Sequence, residues 1–575
     1  MIIHNSKFER LLMFFLLILI LAYAFMTTYA NLDLIDGKHV LFMDEQISFE
    51  GIQKIYTASD FANFWDSIVY GGDLRYGRIF WYSAALVAYL PTKLWGVAGQ
   101  IVTTRMLQFI FLLISYILFA YTFIKNNVFR LLLVLLLLLI PSTGYYATMP
   151  KPEPIQLFFL SLFLYFFVKN NYRFGSFYIF LGISFGAKIS IAPLVLLFYF
   201  ISLMSLLTKE VPVATSFSSK FLFFPIKINI QKSLVRQVIF FLSATFFFLT
   251  GIIIANPILI ISFIQLNYFY FNAYIGATFF NTSHHFDDYS INFLSWITYI
   301  FNEFTGIPNI ILMAILLVFL LTSAFYLLPQ ISLKQTLTTN LFQRLRSLFK
   351  NNSILVWFGS FLLLLPIILF VKRIWDFYLH VGATLLVVAL MISIEEGLTS
   401  KSVKFQNYFS VALLSLLLIT IPFSINKSFT ELTHLANRSK SDTHARKLDE
   451  YSYLSNLLFE YSQKSGRKLE VYFDPNLYLI ESNEFFQIDR FYGPFLFWDK
   501  KFDLIIYYKE HSDEGALPNQ TNILFEKQVL EKQLYKKFVV DKNPGGDFYY
   551  VKSPRSLDNV YIFIRNDLIE LLGEM

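Results

Sequence analysis

Leu11 to Ala30 reads LLMFFLLILILAYAFMTTYA, twenty residues without a charge. A helix rises 1.5 Å per residue, so a run of this length crosses the ~30 Å hydrocarbon core of a bilayer. Lys7 and Arg10 precede it and no small-residue cleavage site follows, so it reads as a retained anchor with the N-terminus in the cytoplasm. Outward from there, Leu131 to Ile140 is again wholly aliphatic. Of the 575 residues, 56% are hydrophobic, 67 are Phe and only 15% are charged, against roughly 25% charged in a soluble domain. A water-soluble chain with this many such runs would expose too much apolar surface. The reading is an α-helical polytopic membrane protein with about eleven transmembrane helices.

The expected spans are 11–30, 101–124, a third ending at Met149, a fourth from Pro154 to the basic loop Lys169–Arg173, then 176–189, 190–206, 237–258, 308–328, 353–371, 377–394 and 407–424. Segment 31–99 is the expected first external loop of a transmembrane domain covering 1–426. Residues 427–575 change character. A charged helix around Asp442–Gln463 precedes β-rich runs at Leu469–Phe473, Asp503–Tyr508 and Phe548–Val551, with turn residues between them. This predicts a small extracytoplasmic α/β domain.

The formal charge of +7 sits mostly in alternate short loops, the pattern that encodes membrane topology. It therefore points to membrane lipids as neighbours and to no nucleic acid. Cysteine is absent, which removes disulfide and thiolate chemistry. The expected location is the inner (plasma) membrane, multi-pass.

The polar residues of interest fall on the non-cytoplasmic side. Asp44-Glu45 is either a helix N-terminus, where negative charge is favoured, or a general base near a lipid phosphate. Arg75 and Arg78 stand beside Tyr76, Phe80, Trp81 and Tyr82. They read as an interfacial anchor or as a bidentate phosphate pair. Glu153, between Pro152 and Pro154, opens a span. Lys188 ends an apolar run, where an ionisable group either snorkels to the interface or works. Lys372 and Arg373, with Asp376, Tyr378 and His380, form a second basic cluster expected on the outer face, against the usual charge bias. His284, His285, Asp287 and Asp288 read as a solvated loop or as metal ligands.

In order along the chain, these features resemble the GT-C superfamily of membrane glycosyltransferases, such as the protein O-mannosyltransferases and the aminoarabinose transferases of lipid A. The matching residues are Asp44-Glu45 soon after the first span, Arg78 before Ile79-Phe80-Trp81, Glu153 at the start of span four, Gly182, Gly186 and Lys188, Asn256-Pro257, and Arg373 with Tyr378. The resemblance covers roughly residues 10–425. Where the family carries Lys-Pro-Pro, this chain has Arg78-Ile79-Phe80, and the family's Arg-Tyr dipeptide is split between Arg373 and Tyr378.

The resemblance implies transfer of a sugar from a polyprenyl-phosphate-linked donor to a lipid, polysaccharide or protein acceptor, with inversion. Asp44, with Glu45 and Glu153, would be catalytic. Arg75, Arg78, Lys188, Lys372 and Arg373 would hold the donor phosphate. Tyr378, His380, His284 and His285 are further site candidates, and some branches of the family use a divalent cation. The rival reading is a membrane transporter or a flippase for lipid-linked glycans, built from inverted repeats that this sequence does not display.

Overall fold

The computed structural model describes residues 6–32, 34–35, 38–39, 43–70, 77–207, 233–259, 351–370, 376–399, 404–437, 442–473, 484–489, 502–508, 548–551, 560–565 and 568. They divide between two compact units. The first comprises Met1–Leu32, Ser48–Phe280 and Ser290–Ala436; the second comprises Asp33–Ile47, Asn281–Tyr289 and Asn437–Met575.

The described part of the first unit is helical. Its helices are α1 (Ser6–Asn31), most of α2 (Met43–Tyr56), α3 (Phe61–Tyr70), α4 (Ile79–Phe123), α5 (Asn127–Leu138), α6 (Pro141–Thr148), α7 (Pro152–Lys169), α8 (Tyr178–Ala187), α9 (Ala192–Leu207), α10 (Ser233–Ala255), α11 (Asn352–Phe370), α12 (Asp376–Thr399) and α13 (Lys404–Ala436). Among the described residues, six helices are long and apolar enough to cross a membrane, or up to seven if α5 and α6, bent by 71°, form one broken span. On α1, Leu11, Phe14, Phe15, Leu21 and Phe25 face outward, a distribution suited to lipid and not to water. The protein is a helical, membrane-embedded chain by this measure.

Two boundaries differ from the sequence reading. The span expected at 101–124 is the second half of a longer helical run that begins at Ile79, inside the expected external loop. Gly96 breaks that run at φ 62°, a conformation only glycine adopts without strain. The break folds the chain tightly, because a Cβ on Gly99 would lie 2.3 Å from the Pro91 carbonyl oxygen. The first half carries Leu86, Leu90 and Trp95 outward; with Pro91 and Lys93 interrupting its apolar run, the sequence concealed a helix there. At the other end, α13 runs through the expected boundary at 426 and stops at Ala436. Expected spans 176–189 and 190–206 are the short helices α8 and α9, joined by a 3-10 turn at Ile189–Ile191. The expected span 308–328 lies outside the described residues.

Beyond Arg130, helix α5 is apolar all round, and Val128, Leu132, Leu133, Leu135 and Leu137 are all buried, the environment such a helix requires. Its start is fastened twice. The Asn126 side chain accepts from the Val128 and Phe129 amides at 2.8 and 3.3 Å, an ordinary N-cap. From α12, the buried Glu395 carboxylate accepts from the Lys125 amide at 3.0 Å and the Asn126 amide at 2.6 Å. A negative charge is well placed at a helix N-terminus. Glu395→Ala strands these amides and lowers stability by about 2–3 kcal/mol, read as a shift in the SDS concentration that unfolds the purified protein. An unshifted midpoint contradicts this role.

In the second unit, α14 (Asp442–Ser465) ends at Gly466, whose φ of 65° and amide bond to the Ser462 carbonyl at 3.0 Å close the helix. A five-stranded sheet follows, made of β3 (Leu469–Phe473), β4 (Phe486–Asp489), β5 (Leu504–Tyr508), β6 (Phe548–Val551) and β7 (Val560–Arg565) in the order β4-β3-β5-β7-β6. A short β1–β2 hairpin (Leu34–Ile35, Lys38–His39) precedes them in the chain. Strand β3 runs parallel to β4 and β5, whereas β7 is antiparallel to β5 and β6. Leu454, Leu458 and Tyr461 of α14 pack with Leu469, Val471, Leu504, Ile506, Ile562 and Ile564.

At the rim of the sheet, buried Asp503 takes both terminal nitrogens of Arg467 at 2.7 Å, Arg565 Nη2 at 3.0 Å and the Glu470 amide at 2.9 Å. Asp503→Ala costs about 2–4 kcal/mol, below the fully buried case because both arginines keep access to water. Limited proteolysis of the full chain checks it: the variant's C-terminal segment is cut faster, and equal rates contradict the assignment.

Candidate functional site

Several helix ends of the first unit meet at one place, and glycines allow it. Gly182 and Gly186 of α8 face Gly251 and Ala255 of α10. A Cβ on Gly182 would fall 2.0 Å from the Phe248 carbonyl oxygen, and one on Gly251 would fall 2.2 Å from that of Ile179. Small residues four apart on both partners let membrane helices touch backbone to backbone. The start of α4 joins them: the Gly77 amide donates to the Ala187 carbonyl at 2.8 Å, and Tyr82 hydroxyl donates to the Ile254 carbonyl. Gly77 also admits no side chain, since its Cβ would lie 2.4 Å from Gly186 O. Asn256, which follows α10, is buried beside Ala255.

Into this junction come Glu153, 1% exposed, and Lys188, 7% exposed, and they form an ion pair. Each stands where its own helix favours it. Glu153 lies in the first turn of α7, which opens with Pro152 at its first position, and negative charge suits an N-terminus. Lys188 is the C-cap of α8, where positive charge is favoured. Gln156, one turn into α7, donates to the Lys188 and Ser184 carbonyls, while Ser184 Oγ donates to the Gln156 carbonyl at 2.8 Å. Lys188 spends one contact on Oε1 of Glu153, and Oε2 has no hydrogen-bond partner among the described residues. Buried Lys151 precedes α7 at its N-cap.

Arg78, immediately before α4, is buried. Its Nε donates to the Val69 carbonyl at 3.1 Å, and its guanidinium lies over the Trp81 ring at 5.0 Å. Helix α2 braces this region. Gly51 sits against Trp81, Tyr56 hydroxyl donates to the Ala85 carbonyl at 2.5 Å, and Gln53 Nε2 donates to Gln100 Oε1 at 2.6 Å. Burial raises the Tyr56 phenol above its ordinary pKa, so it remains a donor at neutral pH.

The structure thus gathers Glu153, Lys188, Asn256 and the start of α4 that carries Arg78. Asp44 and Glu45 fall in the first turn of α2 by backbone position, with side chains outside the described residues. Tyr378 likewise falls in the first turn of α12. Arg75, His284, His285, Lys372 and Arg373 lie outside the described residues.

His380, a further site candidate, is fully buried, its Nδ1 2.8 Å from Ser142 Oγ and its Nε2 3.3 Å from the Tyr116 hydroxyl, with the Tyr146 ring 4.5 Å away. It is the fifth residue of α12 and points into the helical core, so it joins an internal hydrogen-bonded network with Tyr116 and Thr143, which are 2.9 Å apart.

Sequence reasoning missed Arg105, fully buried on α4. The signal was available: a lone arginine inside the apolar run 101–124, where an ionisable residue is costly and therefore informative. Asn31 of α1 levels this turn of α4 with the end of α6, because its amide donates both to Met106 Sδ at 3.4 Å and to the Ala147 carbonyl at 3.0 Å. Among the described residues no group of three or more His, Asp or Glu side chains comes together as a metal centre would require.

Fold and site together define a membrane-embedded helical protein with a charged pair and Arg78 enclosed near helix ends and Arg105 buried within α4. No protein-family model, curated protein or solved structure matches the chain.

Proposed function

We propose that this chain is a GT-C-like membrane glycosyltransferase. It moves a sugar from a polyprenyl-phosphate-linked donor to a lipid, polysaccharide or protein acceptor on the extracytoplasmic side, with eleven spans, a cytoplasmic N-terminus and the C-terminal unit outside. The observation that carries the reading is the buried Glu153–Lys188 pair at a junction joined by the start of α4, which carries Arg78, because all three residues come from motifs that resemble the family's. In the reaction, Asp44 takes the proton of the acceptor hydroxyl as its oxygen attacks the anomeric carbon. The bond from that carbon to the phosphate oxygen breaks, and configuration inverts. Charge gathers on the leaving phosphate, and fixed cations (Arg78, Lys188 and Arg373) stabilise it where water is excluded. Glu153 holds Lys188 in position and orients the sugar.

The test is transfer of label from polyprenyl-phosphate sugars to extracted membranes by the purified protein and its Asp44→Asn variant. Removal of the base lowers transfer by about two to four orders of magnitude, with folding and donor binding intact. Full activity of Asp44→Asn removes the assigned base.

One feature favours a second reading, a transporter: the ion pair and Arg105 are enclosed among helices, as charges on a translocation path are. Counterflow of labelled lipid-linked sugar across a vesicle membrane, without transfer to any acceptor, would select it.

A further inference from the structure

One face of α4 carries Gln100, Thr104 and Gln108, successive residues four apart and all fully buried. Four of their side-chain atoms have no hydrogen-bond partner among the described residues: Gln100 Nε2, Thr104 Oγ1, and both Nε2 and Oε1 of Gln108. The face is built rather than incidental. At its outer end, half-buried Gln53 of α2 fixes Gln100 through the 2.6 Å bond to Oε1, which leaves the Gln100 amide hydrogens directed elsewhere. At its inner end, Phe111, on the same side one turn further, packs on Phe158 of α7 at 5.2 Å and closes it with an apolar floor.

Within a membrane-crossing helix, each unsatisfied polar group costs on the order of several kcal/mol. Helices do not keep such groups on three consecutive turns unless something meets them. All four atoms are neutral, two of them amide donors, one a carbonyl acceptor and one a hydroxyl able to do either. That mixture matches vicinal hydroxyls, each at once donor and acceptor, and offers no charge to a phosphate or an ammonium group. Eight residues of helix span about 12 Å, room for one sugar ring or two.

We infer that the Gln100–Thr104–Gln108 face binds a neutral, hydroxyl-rich ligand, a sugar moiety. The inference deepens the transferase reading by giving the carbohydrate part of a substrate its own wall, separate from the charged junction.

The chain contains no cysteine, so single replacements report cleanly. Thr104→Cys and Gln100→Cys are compared with Leu133→Cys, a fully buried apolar position on α5, in the full-length protein in nanodiscs treated with methyl methanethiosulfonate. Both polar-face variants react at least about tenfold faster than the control, equivalent to about 1.4 kcal/mol of access. Methyl hexosides slow them, and mannitol at equal osmolality does not. Labelling at the control rate overturns the site. Fast labelling that no methyl hexoside slows overturns the sugar assignment and leaves a face wetted by water alone. No step of this assay needs turnover. Protected labelling without transfer from any donor sinks the transferase reading while keeping the site, and transfer without labelling does the reverse.

Discussion

Glu153→Ala lowers the stability of the full-length protein by about 3–5 kcal/mol, the cost of leaving a buried cation without its counter-charge. The magnitude follows from where the partner sits. Lys188 is 7% exposed, and its ammonium is paired to a carboxylate that is itself 1% exposed. Deleting the carboxylate leaves the charge to be neutralised or to drag water inward. Lys188→Ala is expected to cost a similar amount, since it strands Glu153. The double variant Glu153→Leu/Lys188→Met recovers most of the loss, because replacing a buried pair by apolar groups of similar volume is near neutral. SDS-titrated unfolding of the four proteins measures this cycle. Additive losses, with no recovery in the double variant, mean that the two side chains do not act as a pair. The cycle also separates stability from chemistry: on the transferase reading the double variant is folded and inactive.

Gly182→Leu has the second large effect. The α8–α10 contact is made by backbone at this point, with the Phe248 carbonyl oxygen 2.0 Å and the Gly251 Cα 3.1 Å from where a Cβ would stand. Neither is the end of a flexible side chain that swings aside, so the helices must part. The cost is about 3 kcal/mol or more, at the upper end of overpacking. Because Lys188 caps α8 and Gly77 bonds Ala187, parting the helices also unseats the ion pair. On the transferase reading, the variant therefore loses transfer activity together with stability. A Gly182→Leu protein that unfolds at the wild-type SDS concentration shows that α8 and α10 are not packed as described.

The membrane character was legible because it depends on composition and run length, which need no tertiary context. The strands at Leu469–Phe473, Leu504–Tyr508 and Phe548–Val551 were legible through β-branched and aromatic enrichment between turn residues. Strands β4 and β7 were not, since FQID is too short and mixed to declare itself and VYIFIR follows a charged stretch near the end of the chain. The helix over 79–95 escaped because Pro91 and Lys93 interrupt its apolar pattern.

At the site, Glu153 and Lys188 each stood out as ionisable groups beside apolar runs, but only folding reveals that these residues, 35 apart in sequence, are paired in space. For His380, the charged neighbours Lys372, Arg373 and Asp376 suggest an outer cluster in the sequence, and only folding shows its side chain fully buried beside Ser142 and Tyr116. Arg105 was overlooked for the opposite reason, hidden in a run that had already been read as a span.

On the proposed function, a polyprenyl phosphate binds at the junction that Glu153 and Lys188 form with the start of α4, which carries Arg78. The most direct measurement is equilibrium binding of a labelled polyprenyl monophosphate to the purified wild-type protein and to Arg78→Gln, at two salt concentrations. The account predicts saturable, salt-sensitive binding by the wild type and about tenfold weaker binding by the variant, a difference of about 1.4 kcal/mol. Absence of saturable binding to the wild-type protein, or equal affinity in Arg78→Gln, would contradict it.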